Sequence, residues 1–249
     1  MTLQTEPFIW SNNVNTNLQL GPDGTAHNLG YLDADWGDCI GPTDPRMHIL
    51  HNTWVDTYRP QIDCTFDEIT LDPKCAITTW GSGSYSLSKS QLILQTGTTI
   101  NSGVELTMPN VYFPFVPGSR MFVYLETVPN GNLDLQFGIR SSNGAEYARF
   151  RRVDSNSAGM YYGETSHGGS ATNAVTVLSG DSVRRPFVIS RTADDVTFYT
   201  SNEGGQNLFL TKITTNLPTG DGVPFIRFSN TYGANRTLRI DDIKLMPIK

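Results

Sequence analysis

From about residue 62 to residue 245, hydrophobic and polar residues alternate in short runs. The clearest run is 133–139, where Leu, Leu, Phe and Ile occupy every second position and Asp134 and Gln136 lie between them. A period of two predicts a β-strand with one buried face. Further strands are predicted at 91–95, 103–107, 120–126, 146–151, 159–162, 175–178, 185–190, 195–199, 208–211, 224–228 and 238–245. The chain is therefore expected to be all-β.

Turn-forming residues separate these runs at the spacing expected for a β-sandwich. The turn signals are Pro129-Asn130-Gly131, Asn143-Gly144, Asn202-Glu203-Gly204-Gly205 and Gly220-Asp221-Gly222. Asn143-Gly144 lies between two alternating runs and predicts a hairpin of 133–139 with 146–151. In the last run the hydrophobic phase shifts across Asp241-Asp242, which predicts a β-bulge or a break.

The first part of the chain lacks this alternation. The sequence predicts a helix at 44–59, with Asp44 as N-cap and Pro45 at the first helical position. Pro60 ends this helix. Residues 1–43 predict either an extended arm or irregular loops that cap the sandwich. Docking anchors of such an arm would be Phe8, Trp10, Tyr31 and Trp36. We therefore expect a docking or oligomerisation segment at 1–73 and a β-sandwich at 74–249.

Composition and charge exclude several classes of function. The 249 residues carry a net charge of −6, and nucleic-acid binding is not expected because phosphate contacts need clustered Lys and Arg. Arg149, Arg151 and Arg152 are interpreted as part of a solvated strand face. No apolar segment follows Met1 and none approaches the length of a membrane span, so we expect neither a signal peptide nor a membrane partner.

The three cysteines are Cys39, Cys64 and Cys75. An odd number without a Cys-x-x-Cys pattern argues against a disulfide framework and against a zinc site. Cys64 and Cys75 are interpreted as buried free thiols, with a bridge across a small loop as the alternative.

Three segments resemble a known family. They are Leu133–Arg140, the turn Asn143-Gly144 with Glu146–Phe150, and the closing run Leu238–Leu245. Together they resemble the concanavalin A-like lectin/glucanase jelly roll, including its laminin-G-like members. The resemblance covers residues 74–249 and implies an antiparallel jelly-roll β-sandwich.

Hydrolases of this family carry paired carboxylates on one strand face, because glycoside cleavage needs an acid and a nucleophile or base. The glucanase pattern Glu-x-Asp-x-x-Glu is absent from this chain. Glu105, Glu126, Asp134 and Glu146 each occur singly on predicted strands. We therefore expect a protein that is not an enzyme.

Sugar binding needs flat rings together with amides and carboxylates. Residues of these types are Tyr161, Tyr162, Glu164, His167, Tyr232 and Asn235, which form a candidate carbohydrate site. The alternative is that these tyrosines belong to the core and the other residues to loops.

Asp33, Asp35 and Asp38 surround Gly37 in a polar segment. Ca²⁺ prefers such oxygen ligands, so these residues are a candidate metal site. The spacing does not match an EF-hand, and Asx-turns are the alternative explanation. No other cofactor is expected.

Three expectations together favour a bacteriophage virion protein. The composition is typical of an extracellular β protein, no signal peptide is expected, and an arm with aromatic anchors precedes the sandwich. The expected role is structural: a capsid decoration, head-fibre or tail-associated subunit. It would be made in the host cytoplasm, located in the virion, and partnered by other virion subunits, further copies of itself and glycans. Two alternatives stay open, a stand-alone carbohydrate-binding lectin module and a polysaccharide-degrading glycoside hydrolase.

Overall fold

The computed structural model describes residues 17–20, 25–28, 62–67, 70–111, 113–127, 131–154, 159–179, 185–201 and 207–246. The chain divides into two units, Met1–Arg59 and Pro60–Lys249. The predicted helix at 44–59, the candidate metal ligands Asp33, Asp35 and Asp38, and the docking anchors Phe8, Trp10, Tyr31 and Trp36 lie outside the described residues. In the first unit, β1 (Asn17–Leu20) pairs with β2 (Thr25–Asn28) as an antiparallel ribbon.

The second unit contains sixteen strands among its described residues. They are β3 (Ile62–Thr65), β4 (Ala76–Trp80), β5 (Ser84–Leu87), β6 (Leu92–Gln95), β7 (Gly103–Thr107), β8 (Phe113–Pro114), β9 (Arg120–Thr127), β10 (Leu133–Arg140), β11 (Tyr147–Asp154), β12 (Met160–His167), β13 (Ser170–Ser179), β14 (Arg185–Arg191), β15 (Val196–Ser201), β16 (Asn207–Ile213), β17 (Asp221–Asn230) and β18 (Thr237–Met246). Where the chain is described it holds no helix that is long and apolar enough to cross a membrane.

These strands form two antiparallel sheets that pack as a sandwich. One sheet, here called the front sheet, has the order β13-β12-β11-β10-β17-β7-β4, with β8 paired to β17. The other, the back sheet, has the order β16-β15-β14-β9-β18-β6-β5, with β3 paired to β18. The prediction of an all-β sandwich is confirmed.

Aromatic rings from both sheets meet in the core. Phe137 and Phe150 of the front sheet stack with their centroids 5.1 Å apart, and each lies 5.2 Å from Phe187 of the back sheet. Burial of a phenylalanine contributes about 1.5–3 kcal/mol. The alternation that predicted the strands therefore marks the residues that hold the sheets together.

Two local predictions are confirmed. β10 and β11 form the expected hairpin, with Ile139 opposite Ala148. In β18 the pairing with β9 shifts register between Ile240 and Asp242, which is the predicted bulge. The bulge lets both halves of β18 turn hydrophobic side chains inward, because an extra residue reverses the phase of alternation.

The thiols of Cys64 and Cys75 are both buried and free, as predicted, with their Sγ atoms 3.8 Å apart. The hydrogen bond between the two thiols and burial raise the pKa of the Cys64 thiol well above its usual range. Cys39 lies outside the described residues.

Arg152 departs from its interpretation as a solvated residue. Its side chain is fully buried and pairs with the equally buried Asp154. Burial alone would lower the pKa of Arg152, but the hydrogen bonds and charges of Asp154 and Tyr161 together outweigh burial, and the pKa is raised. The charge is tolerated because its partner is two residues away on the same strand face.

Candidate functional site

The outward side of the front sheet, here called the front face, collects charged and aromatic side chains. Directly paired residues of neighbouring strands point to the same side of a sheet. One row across the front face therefore contains Thr78, Glu105, Arg227, Gln136, Arg151, Tyr162 and Val175. The next row contains Ala76, Thr107, Phe225, Gly138, Arg149, Glu164 and Asn173. Trp80 and Asp134 flank the first row, and Arg140 and Tyr147 flank the second.

Glu105 and Arg140 form a two-point ion pair across β17. The distances are 2.5 Å from Nη2 to Oε1 and 3.2 Å from Nη1 to Oε2. Arg227 lies between them on β17 and approaches the same carboxylate at 4.0 Å. Two parallel bonds fix the plane of a guanidinium, so this pair holds Arg140 in one orientation.

Glu164 is the centre of a second network, on β11 and β12. Its Oε2 accepts a hydrogen bond from Arg149 Nε at 2.7 Å, and Arg149 Nη1 donates to Gln136 Oε1 at 2.8 Å. The Glu164 side chain is covered by these neighbours. Three strands are thus joined on their outward side by charge-assisted hydrogen bonds, which are stronger than neutral ones.

Arg151 is held more loosely. Its terminal nitrogens lie 3.6 Å from Asp134 Oδ2 and 3.8 Å from Glu164 Oε1, both beyond good hydrogen-bond distance. Both carboxylates therefore approach one guanidinium without a short bond to it. Arg151 keeps donor capacity for a further acceptor.

Three aromatic rings of the front face are covered by guanidinium groups. Arg140 lies 4.5 Å from the ring centroid of Phe225, and Arg149 lies 4.1 Å from that of Tyr147. Arg227 lies 5.0 Å from the ring of Trp80. Cation–π attraction stabilises this layering. A guanidinium group therefore lies over one face of each of these rings.

The Trp80 ring packs against the backbone at the start of β7 and just before it. Indole Nε1 donates to the Asn101 carbonyl at 2.6 Å, and a Cβ at Gly103 would come within 2.7 Å of the indole. A side chain at position 103 would displace the ring. Glycine is required here for close approach.

This arrangement can bind hydroxyl and anionic groups. Glu105, Asp134 and Glu164 are acceptors, and Gln136 is both donor and acceptor. Each of the three carboxylates has an arginine nitrogen within ion-pair distance.

The predicted carbohydrate residues are divided among four places. Tyr162 and Glu164 lie on the front face, one in each central row. Tyr161 lies in the core between Phe137, Phe150 and Phe187, where it does not reach solvent. A role of the first two in sugar binding stays a prediction.

The other three candidates lie at opposite ends of the front sheet. His167 Nδ1 is 3.1 Å from Glu146 Oε1 near the β12–β13 turn, beside a shallow hollow that Arg140 and Glu146 help to line. Tyr232, largely exposed, and Asn235 lie in the loop after β17, where Asn235 Oδ1 accepts a bond from the Gly97 amide. These residues do not form one site with the front face.

Sequence reasoning missed the arginines of the front face. The alternation in β10 and β11 already placed Gln136, Arg149 and Arg151 on one side of a hairpin. The missing signal was the position of β17, which brings Arg227 from a distant part of the chain to Gln136 and Glu105.

The described part of the chain brings together no group of three or more His, Cys, Asp or Glu that could hold a metal ion. Asp242, which follows the bulge in β18, pairs with Lys244 at 2.8 Å. The candidate Ca²⁺ ligands lie outside the described residues. Calcium binding stays a prediction.

Solved structures share this fold at low sequence identity. SO2946 from Shewanella oneidensis MR-1, a protein of unknown function, is 15% identical with a TM-score of 0.58, covering 83% of this chain and 95% of its own. A beta-1,3-1,4-glucanase (lichenase) from a mouse hindgut metagenome is 12% identical with a TM-score of 0.58, covering 75% and 99%. Rv0315 of Mycobacterium tuberculosis, described as an immunostimulatory antigen and pseudo beta-1,3-glucanase, is 10% identical with a TM-score of 0.57, covering 75% and 98%. These similarities show the fold, a concanavalin A-like jelly-roll β-sandwich.

These neighbours correct the expected function. The prediction of a bacteriophage virion structural protein is wrong, because the functions named among the similar structures are those of glycoside hydrolases and glucanases. They favour the polysaccharide-degrading alternative instead.

No curated protein sequence matches the chain significantly. A family profile does match, over residues 90–244, which is more than half of the chain and includes most of both sheets. The chain belongs to the family described as SO2946-like, C-terminal domain.

Proposed function

We propose that this chain binds a polysaccharide on the front face. The observation that carries the proposal is the continuous set of hydrogen-bonding groups across β7, β17, β10, β11 and β12, centred on Gln136. An extended row of such groups suits a polymer better than a small ligand, because successive sugar units can bind along it. The glucanase-like fold supports the same class of ligand.

Binding is tested with Tyr162→Ala on a panel of soluble polysaccharides, measured by affinity gel electrophoresis. Tyr162 lies in the central row beside Arg151, and loss of its ring is expected to weaken binding about three- to tenfold. The matched control is Phe209→Ala, which removes an exposed ring from the back sheet and is expected to leave binding unchanged. Equal weakening by both variants, or no binding by the unaltered chain, would contradict the proposal.

Glycoside hydrolysis is a second candidate function. Asp134 and Glu164 both approach Arg151, at 3.6 Å and 3.8 Å, so two carboxylates lie near each other on the front face, and glycoside cleavage uses such a pair. Release of reducing ends from the same panel, lost on Asp134→Asn and on Glu164→Gln, would establish it. Binding without release would leave a non-hydrolytic polysaccharide-binding protein.

A further inference from the structure

We infer that the polysaccharide bound at the front face is acidic, and that Arg151 and Arg227 bind its carboxylate or sulfate groups. This inference rests on the proposed function, because it names the ligand class of the same surface. Three observations support it. These arginines are more exposed than their carboxylate partners, their N–H donors are not all used, and their spacing suits a polymer.

Arginine is the more exposed partner in the ion pairs of the front face. The Arg151 side chain is 36% exposed, against 23% for Asp134 and 9% for Glu164. The Arg227 side chain is 48% exposed, against 16% for Glu105. A ligand that approaches the front face therefore meets guanidinium groups before carboxylates, although the whole chain carries a net charge of −6.

The two arginines also have unused donors. Arg140 and Arg149 are committed to short bonds with Glu105 and Glu164. The nearest carboxylate oxygens lie at 3.6 Å from Arg151 and 4.0 Å from Arg227. A guanidinium with free N–H groups prefers a carboxylate or sulfate acceptor, which it can bind at two points.

Neutral sugars would find three rings of the front face already in contact with guanidinium groups. The rings of Trp80, Phe225 and Tyr147 are covered by arginines. Stacking of an uncharged sugar on these rings would first require the guanidinium to move away, which loses the cation–π contact. An acidic sugar can instead bind the guanidinium where it lies.

The spacing favours a polymer over a single anion. Arg227 and Arg151 are paired to Gln136 from opposite sides, so two strand spacings, about 10 Å, separate their backbones. One small anion contacts one of them, whereas a chain with repeated acidic groups can contact both. Asp221 and Glu146 lie toward one end of the sheet, where their negative charge would repel an acidic ligand. The anion-binding region is therefore assigned to the central row.

The experiment compares ligands that differ in charge alone. Polygalacturonate and its fully methyl-esterified form test carboxylate, and a sulfated galactan and its desulfated form test sulfate. Dissociation constants are measured by calorimetry for the full chain, Arg151→Gln, Arg227→Gln and the control Arg239→Gln, which alters the back sheet. The charged ligands are expected to bind, with each front-face substitution weakening affinity about tenfold, and higher salt is expected to weaken it further.

The outcomes separate this inference from the proposed function. Tight binding of either charged ligand, lost in its neutral form and weakened only by the front-face variants, supports the inference and identifies the acidic group. Equal binding of charged and neutral forms overturns the inference and leaves polysaccharide binding standing. Equal weakening by Arg239→Gln overturns the assignment to Arg151 and Arg227. Failure of all four ligands and of neutral glucans overturns both proposals.

Discussion

The carboxylate of Asp154 lies fully buried behind the front face, and replacing it with alanine tests how the sandwich tolerates a charge in its core. Asp154 Oδ1 accepts hydrogen bonds from Arg152 Nε at 3.0 Å and from the Gly159 amide at 2.7 Å. Its Oδ2 accepts a bond from the Gly131 amide at 3.2 Å. One side chain therefore satisfies a buried guanidinium and two backbone donors.

Asp154→Ala leaves all three groups without this partner. Breaking a buried ion pair from one side costs about 3–5 kcal/mol, and an orphaned buried N–H costs about 1–3 kcal/mol. These costs overlap, so we expect the free energy of unfolding to fall by at least about 4 kcal/mol. Arg152→Met is expected to cost less, because Asp154 keeps its two amide donors and methionine fills the space of the arginine stem.

The assay is urea unfolding of both variants and of the double variant. In the double variant no guanidinium is left unpaired, so the loss is expected to be smaller than the sum of the two single losses by more than about 1 kcal/mol. Arg120→Met, which changes an exposed arginine, is the control and is expected to stay within about 0.5 kcal/mol of the unaltered chain. Additive losses in the double variant would refute the coupling of Arg152 with Asp154.

Two further predictions concern the seat of Trp80 and stability in acid. A Cβ in Gly103→Ala would lie 2.4 Å from the Phe228 carbonyl oxygen. We therefore expect the free energy of unfolding to fall by about 1–3 kcal/mol and the near-ultraviolet circular dichroism spectrum to change. An unchanged spectrum and melting temperature would contradict the close packing. Burial alone would raise the pKa of Asp195, but hydrogen bonds, led by that from Lys212, outweigh it and lower the pKa. The stabilisation from Asp195 is therefore complete above about pH 4 and is lost as pH falls through the lowered pKa. In Asp195→Asn the free energy of unfolding should depend less steeply on pH in acid. Equal slopes of this free energy against pH for both proteins between about pH 5 and pH 2 would refute the role of Asp195.

Local signals predicted much of the second unit. Alternation predicted β7 at its observed bounds and most of β10, and Asn143-Gly144 predicted the β10–β11 hairpin. Strand β4 was not predicted, because Ala76–Trp80 lies at the sheet edge and shows no alternation of burial. Edge strands bury little, so their sequences carry a weaker pattern.

The sequence alone determined that the chain alternates as β-strands, where its tight turns lie and which side of each central strand is hydrophobic. These are local properties, set by the period of two and by turn geometry. Only the tertiary structure decided that β17 enters between β10 and β7, and thus that Arg227 meets Glu105 and Trp80. It also decided that Arg152 is buried. Both depend on pairing between residues that are distant in sequence or on a buried partner, and neither leaves a periodic signal in the chain.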